Sequence, residues 1–266
     1  MLKILAIAIN TCRESLRERG MLVVVVYLIL LPVIGLAGGY IAVGQERKIV
    51  IDLGLALMTL FGIILGIFWG AGLVRVEIDR RLLNFLLARP LQRWQLIIGK
   101  FIGLALTQLI SVALMASILV LTLLVLPAAS SGEGPRALLT GLGLSLFPVL
   151  LMVYLELLIV TALALLFAAF TSQVLAMVLT LLLTLIGRSA PELLWLAETA
   201  PSQPLRLFFR AIWYLIPNLA GLNHLVEAGY GVAIPIRLLG GQMLYGLLTL
   251  VVILMLTIII FERRQV

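Results

Sequence analysis

Apolar runs of about 20 residues recur from one end of this 266-residue chain to the other, and that feature leaves few folds open. Inside a bilayer every backbone N–H and C=O must find its partner within the protein, so only helices and closed barrels cross it. About 20 apolar residues is the length a helix needs to span the roughly 30 Å hydrocarbon layer, twice what a barrel strand requires. The chain is therefore expected to be an all-α polytopic membrane protein with one transmembrane domain over residues 1–266. Composition points the same way: 63% of the residues are hydrophobic and 12% charged, with a mean hydropathy of +1.23. A soluble domain is only about 45–50% apolar.

The run boundaries predict six spans, at about 21–44, 49–73, 96–126, 137–170, 174–186 and 238–260. Ahead of them, residues 1–18 place Leu2, Leu5, Ile9, Cys12 and Leu16 on one helical stripe and Lys3, Asn10, Arg13 and Arg17 on another. That pattern suits a helix lying in the membrane interface. The first apolar run is too long for a signal-peptide core and reads as a retained span. A charged turn at Gln45 to Lys48 and a Ser/Gly/Pro-rich loop from Pro127 to Arg136 separate neighbouring spans. The fourth run is long enough to be tilted or broken near Pro148, and Thr171-Ser172-Gln173 makes a minimal turn before the fifth. From 188 to 237, Pro, Trp, Arg and Glu mix with apolar residues, which predicts short amphipathic helices forming an external segment.

The formal charge of +7 and pI near 10.1 would suit a nucleic-acid partner in a soluble protein. Here the basic residues cluster beside the apolar runs, where lipid headgroups and the positive-inside bias account for them. No nucleic-acid partner is expected, and the lipid bilayer is. With both termini inside, the inner segments carry Lys3, Arg13, Arg17, Arg19, Arg75, Arg80, Arg81, Arg89, Arg93, Lys100, Arg263 and Arg264. That is twelve of the nineteen Lys and Arg residues, which favours cytoplasmic termini.

Cys12 is the only cysteine and His224 the only histidine. One chain therefore holds no disulfide and no Cys/His metal cluster, and no metal or cofactor site is expected. Gly99-Lys100 invites comparison with a phosphate-binding loop. However, Trp94 stands where the first glycine of G-x-x-x-x-G-K belongs and Phe101 where Ser or Thr is needed. No catalytic site is evident either. Glu156 is the one acid deep in a predicted span, where a charge is costly enough to demand a partner or a function. It could bond Gln108 or a polar side chain of another span, or serve a substrate or a proton. Gly62, Gly66 and Gly70 repeat at four-residue spacing, as do Gly35 and Gly39. Such stripes let backbones approach closely, either within the chain or against a second subunit.

The most informative polar stretch lies between the second and third runs. Glu77-Ile-Asp79-Arg80-Arg81-Leu-Leu-Asn84-Phe85-Leu-Leu-Ala-Arg89-Pro90 predicts a charged, Leu-rich helix over about 78–88, stopped by Pro90. Arg93 and Gly99-Lys100 then open the third span. In this order these features resemble the permease subunits of type-2 ABC transporters. Thr11-Cys-Arg-Glu-Ser-Leu-Arg17, Pro217-Asn218 and Phe261-Glu-Arg-Arg264 resemble the branch named for multicopper-enzyme maturation.

The resemblance implies a non-catalytic permease in a bacterial inner membrane, moving substrate, most often outward, while a separate subunit hydrolyses ATP with Mg. It implies two ATP-binding subunits and a second permease chain, identical or a sibling. It places a cytoplasmic coupling helix in region 77–90, with Asp79, Arg80, Arg81, Asn84 and Phe85 as the docking face and Glu77 and Arg89 flanking it. Arg93 and Lys100 are expected at headgroup level. Two other functions compete: an intramembrane enzyme, which needs clustered polar groups, and a secondary transporter, which needs repeated halves with matching broken helices. Neither pattern is visible in the sequence.

Overall fold

A computed structural model describes residues 2–18, 20–41, 46–79, 93–125, 135–230 and 235–263. Among them the regular structure is helical: α1 (Leu2–Arg17), α2 (Met21–Ile41), α3 (Glu46–Asp79), α4 (Arg93–Val125), α5 (Pro135–Ala168), α6 (Gln173–Arg188), α7 (Ala190–Thr199), α8 (Gln203–Leu215), a 3-10 turn (Ala220–Leu222), α9 (Leu225–Gly229) and α10 (Ile236–Arg263). Four stretches are individually long and apolar enough to cross a membrane: Arg47–Gly72, Trp94–Val125, Leu146–Ala168 and Arg237–Arg263. Two bent pairs, α1 with α2 and α6 with α7, raise the number to six if each pair counts as one span. The fifth predicted span, 174–186, coincides with α6 and is the most irregular of the six. α6 has 16 residues, about 24 Å at 1.5 Å per residue, short of the hydrocarbon layer. It bends by 63° into α7 instead of continuing.

α5 is the hub of the bundle. Its most apolar stretch within Leu146–Ala168 is 78% buried, against 28% for the corresponding stretch of α10. It packs on α3, α4, α6 and α10. The α3–α5 seam rests on the glycine stripe: a methyl at Gly62 would strike Leu157, one at Gly66 would sit 2.8 Å from Thr161 Oγ1, and one at Gly70 would sit 2.5 Å from the Ala164 Cβ. The stripe therefore serves packing within the chain. Gly35 is likewise pressed against Thr122 and Val50 of the same chain, while the side-chain surroundings of Gly39 lie outside the described residues.

Side-chain bonds between spans tie the bundle where apolar packing alone gives little specificity. Tyr27 of α2 donates to the Gly54 carbonyl of α3 at 3.2 Å. Gln108 of α4 donates through Nε2 to the Gly62 carbonyl at 3.0 Å. Tyr154 of α5 donates to the Ala105 carbonyl of α4 at 3.0 Å.

Several boundaries differ from expectation. The charged turn expected at 45–48 is already helical from Glu46, and α3 runs to Asp79 rather than ending near 73, because no Gly or Pro interrupts residues 73–79. A separate helix beginning at Ile78 is thus replaced, at its start, by the end of α3. α5 passes through Pro148 as one helix, as bundled membrane helices tolerate. The turn at 171–173 stands where expected, with the Ser172 hydroxyl accepting from the Leu175 N–H at the start of α6.

Candidate functional site

Three regions of the molecule concentrate its polar chemistry. The first lies within the bundle. Arg188, the last residue of α6, donates through Nε to Glu156 Oε1 at 2.7 Å and through Nη2 to Oε2 at 3.2 Å. The Glu156 side chain is fully buried and that of Arg188 is 30% exposed. A two-pronged guanidinium–carboxylate pair is among the strongest charge-assisted bonds, and it neutralises a carboxylate that apolar surroundings would otherwise penalise heavily. Gln108, the partner considered from sequence, instead bonds the Gly62 carbonyl.

Arg188 is the partner of Glu156 that the sequence alone does not name. The sequence pattern puts it at the start of the external segment, yet it closes the short apolar run 174–187 and is the cation nearest that run's end. The end of α6 is fixed by its neighbours: Gly187 lies against the Pro217 carbonyl, and the Leu219 N–H donates to the Gly187 carbonyl at 3.0 Å. A return of residues 217–219 thereby clamps the helix that carries Arg188.

The second region is the α1–α4 contact. A Cβ on Gly99 would meet Ile7, and one on Gly103 would lie 2.6 Å from the Ala8 carbonyl oxygen, so the two glycines let α1 lie directly on α4. Thr11 and Ser15 on α1 are buried, and Lys100 is only 3% exposed. The expectation that Lys100 sits among headgroups is thus corrected. The glycine on either side of it admits α1 over its side chain, which is held by contacts within the protein. A lysine enclosed in this way is also no phosphate cradle.

Between α3 and α4 in the chain falls the segment expected to couple to a partner. Arg80, Arg81, Asn84, Phe85 and Arg89 lie outside the described residues. Glu77 and Asp79 contribute the backbone of the last turn of α3, and their side chains also lie outside the described residues. α3 ends at Asp79 and α4 begins at Arg93, so this segment joins the ends of two long packed helices.

The third region gathers around residues 213–245. α9 packs on α3, with Lys48 Nζ 3.5 Å from the centre of the Tyr230 ring and Asp52 against Gly229. His224, 5% exposed, has Nε2 2.6 Å from Gln242 Oε1 and Nδ1 3.4 Å from Glu227 Oε1. Beside it, Trp213, Tyr214, Ile216, Asn218, Gly241 and Tyr245 contribute to a cavity of about 420 Å³.

These arrangements define a class. A hub helix, glycine-seamed spans and, among the described residues, a Glu156–Arg188 pair tying two helices inside the bundle make a multi-pass membrane protein. No curated protein matches the chain. The sequence model of the family described as ABC-2 family transporter protein matches residues 5–266, and the chain belongs to that family. It is accordingly the membrane subunit of an ABC transporter and not itself catalytic.

Proposed function

We propose that this chain forms the membrane pathway of an ATP-driven exporter in a bacterial inner membrane, with both termini cytoplasmic and residues 188–237 external. Two permease chains, identical or paired with a sibling, work with two separate ATP-binding subunits, which hold the ATP and Mg. The observation that carries this reading is the family match over residues 5–266 in a chain whose nearest approach to a phosphate-binding loop is spoiled at Trp94 and Phe101. Energy has to come from a partner. The outward direction and the orientation rest on the family resemblance and on the distribution of Lys and Arg.

The coupling element in this proposal is region 77–90. Asp79, Arg80, Arg81, Asn84 and Phe85 dock on the partner, and Glu77 and Arg89 flank them. The mechanics follow from helix geometry. α3 is a single helix of 34 residues, about 51 Å long, and the glycine stripe holds it against α5. A push at its Asp79 end is therefore carried along the whole helix rather than absorbed by a flexible join. α4 receives the same push at Arg93 and passes it to α1 through the Gly99 and Gly103 contacts. The Glu156–Arg188 pair links the hub to α6 and acts as a structural tie in this scheme.

Thr11 to Arg17, Pro217-Asn218 and the Phe261 to Arg264 ending support the branch named for multicopper-enzyme maturation, although one Cys and one His leave no evident copper path through the chain. An intramembrane enzyme is disfavoured because Glu156, the carboxyl buried in the hub helix, is occupied by Arg188. Affinity purification of the tagged chain from its source membrane tests the proposal. An ATPase subunit carrying a complete G-x-x-x-x-G-K-[ST] loop should co-purify at one copy per permease. Recovery of the permease alone from membranes in which it is active would favour the non-ABC alternatives.

A further inference from the structure

We infer that the cavity between α8 and α10 is a binding site for a single anionic phospholipid, its acyl portion lying against the aromatic lining and its phosphate held by Arg210 and Arg237. Nothing in the transporter reading requires this site. The evidence is the juxtaposition of an aromatic cavity with two cations at helical spacing. On α8, Arg210 stands one turn before Trp213 and Tyr214, at i+3 and i+4. On α10, Arg237, Gly241 and Tyr245 follow at four-residue intervals along one side of the helix. Both helices therefore carry an arginine one turn away from residues that line the same cavity.

The chemistry of the lining suits an amphiphile. Trp213 and Tyr214 meet edge to face with ring centroids 4.9 Å apart, and Ile216 and Leu222 extend the apolar wall. Asn218, Gln242 and Tyr245 add polar groups. The Tyr245 hydroxyl accepts from the Asn218 N–H at 2.8 Å, so its own proton remains to be donated to an ester carbonyl. A volume of about 420 Å³ is at the lower end of the roughly 300–1,000 Å³ of small-ligand sites, so the cavity takes part of one acyl chain and the rest of the lipid lies along the outside of the bundle.

Charge selects the headgroup. Both arginines are exposed, and neither forms an ion pair with a described residue. Arg206, one turn earlier on α8, is already committed, donating through Nε to the Ala200 carbonyl at 2.7 Å. Arg237 also marks the end of a membrane-crossing stretch, the depth at which a lipid phosphate sits. Aromatic rings with arginines at that level are the usual contacts of the membrane interface.

The glycines supply a clean test. A side chain at Gly241, which lines the cavity, meets nothing within 4 Å, and neither does one at Gly240, which does not line it. The purified protein is placed in phosphatidylcholine vesicles and titrated with phosphatidylglycerol brominated on its acyl chains. The Trp213 signal is obtained as the difference between the wild type and Trp213→Phe. Half-quenching should need about fivefold less brominated phosphatidylglycerol than brominated phosphatidylcholine. Arg210→Gln and Arg237→Gln should each weaken that preference by about fivefold. Gly241→Leu should abolish saturable quenching, and Gly240→Leu should leave it intact. Equal quenching by the two lipids, or a preference indifferent to both arginine variants, overturns the inference. Relief of quenching by millimolar inorganic phosphate would identify a free anion as the ligand and likewise overturn the lipid assignment.

Discussion

Replacing Gly70 by alanine would put a methyl carbon 2.5 Å from the Ala164 Cβ and 3.0 Å from the Thr161 carbonyl oxygen. Carbon atoms rest about 3.5–4.0 Å apart, so α3 and α5 must separate by about 1 Å at this level. Gly62 and Gly66 lie on the same stripe, so the separation also loosens their contacts with Leu157 and Thr161. A gap of 0.5–1 Å forfeits about a quarter to a half of each contact's attraction, and overpacking a close-fitting seam costs about 1–3 kcal/mol. For a chain of this size, about 2–4 °C of Tm per kcal/mol gives a fall of about 2–12 °C.

The assay is thermal unfolding of the purified protein in detergent, followed through Trp69, which is 2% exposed next to the substituted position. Ala164→Gly in the Gly70→Ala background should recover part of the loss by removing the nearest atom. Gly72→Ala is the control, since its nearest neighbour, Gln173 Nε2, would be at an ordinary 3.5 Å. An unchanged Tm for Gly70→Ala would refute the packing argument. So would loss of a permease pair with Tm intact, which would assign the stripe to a subunit interface.

Glu156→Leu should destabilise the protein by about 3–5 kcal/mol by stranding Arg188, whereas Glu156→Leu combined with Arg188→Met should return close to the wild type. Thermal unfolding checks both, and a double variant no better than the single would dissolve the pair. Glu156→Gln keeps an acceptor for Arg188 and should cost only about 1–2 kcal/mol. If it abolishes transport while assembly and stability persist, Glu156 serves the pathway rather than the scaffold. In a Cys12→Ser background, single cysteines at Ser131 and Ser202 should react with an impermeant thiol reagent on intact cells and one at Gln265 should not. Labelling at Gln265, or none at Ser202, contradicts the proposed orientation.

The apolar runs made most of the long helices legible, because bilayer thickness converts directly into run length. The turn at 171–173 and the helices between 188 and 237 were readable for a related reason, since Thr171-Ser172-Gln173 interrupts the apolar run and the later residues mix Pro, Trp, Arg and Glu with apolar side chains. Sequence did not reveal partners across space. The glycine stripe announced a close approach without naming α5, and Glu156 announced the need for a partner without naming Arg188, 32 residues away. Arg188 was obscured because an arginine after an apolar run ordinarily marks the membrane surface, whereas here its side chain turns back to Glu156. Lys100 misled similarly: the signal that it would be covered lay in Gly99 and Gly103, not in the lysine. The coupling residues Arg80, Arg81, Asn84, Phe85 and Arg89 are proposed from their order in the sequence.

Region 77–90 is where the account as a whole is most directly exposed to test. The permease and its co-purifying ATPase subunit are reconstituted together, and association and ATP turnover are compared for the wild type and for Arg80→Glu with Arg81→Glu. The account predicts that the charge-reversed chain still inserts in the membrane but holds the ATPase more weakly, or that hydrolysis proceeds without transport. Unchanged association, unchanged turnover and intact transport would contradict it.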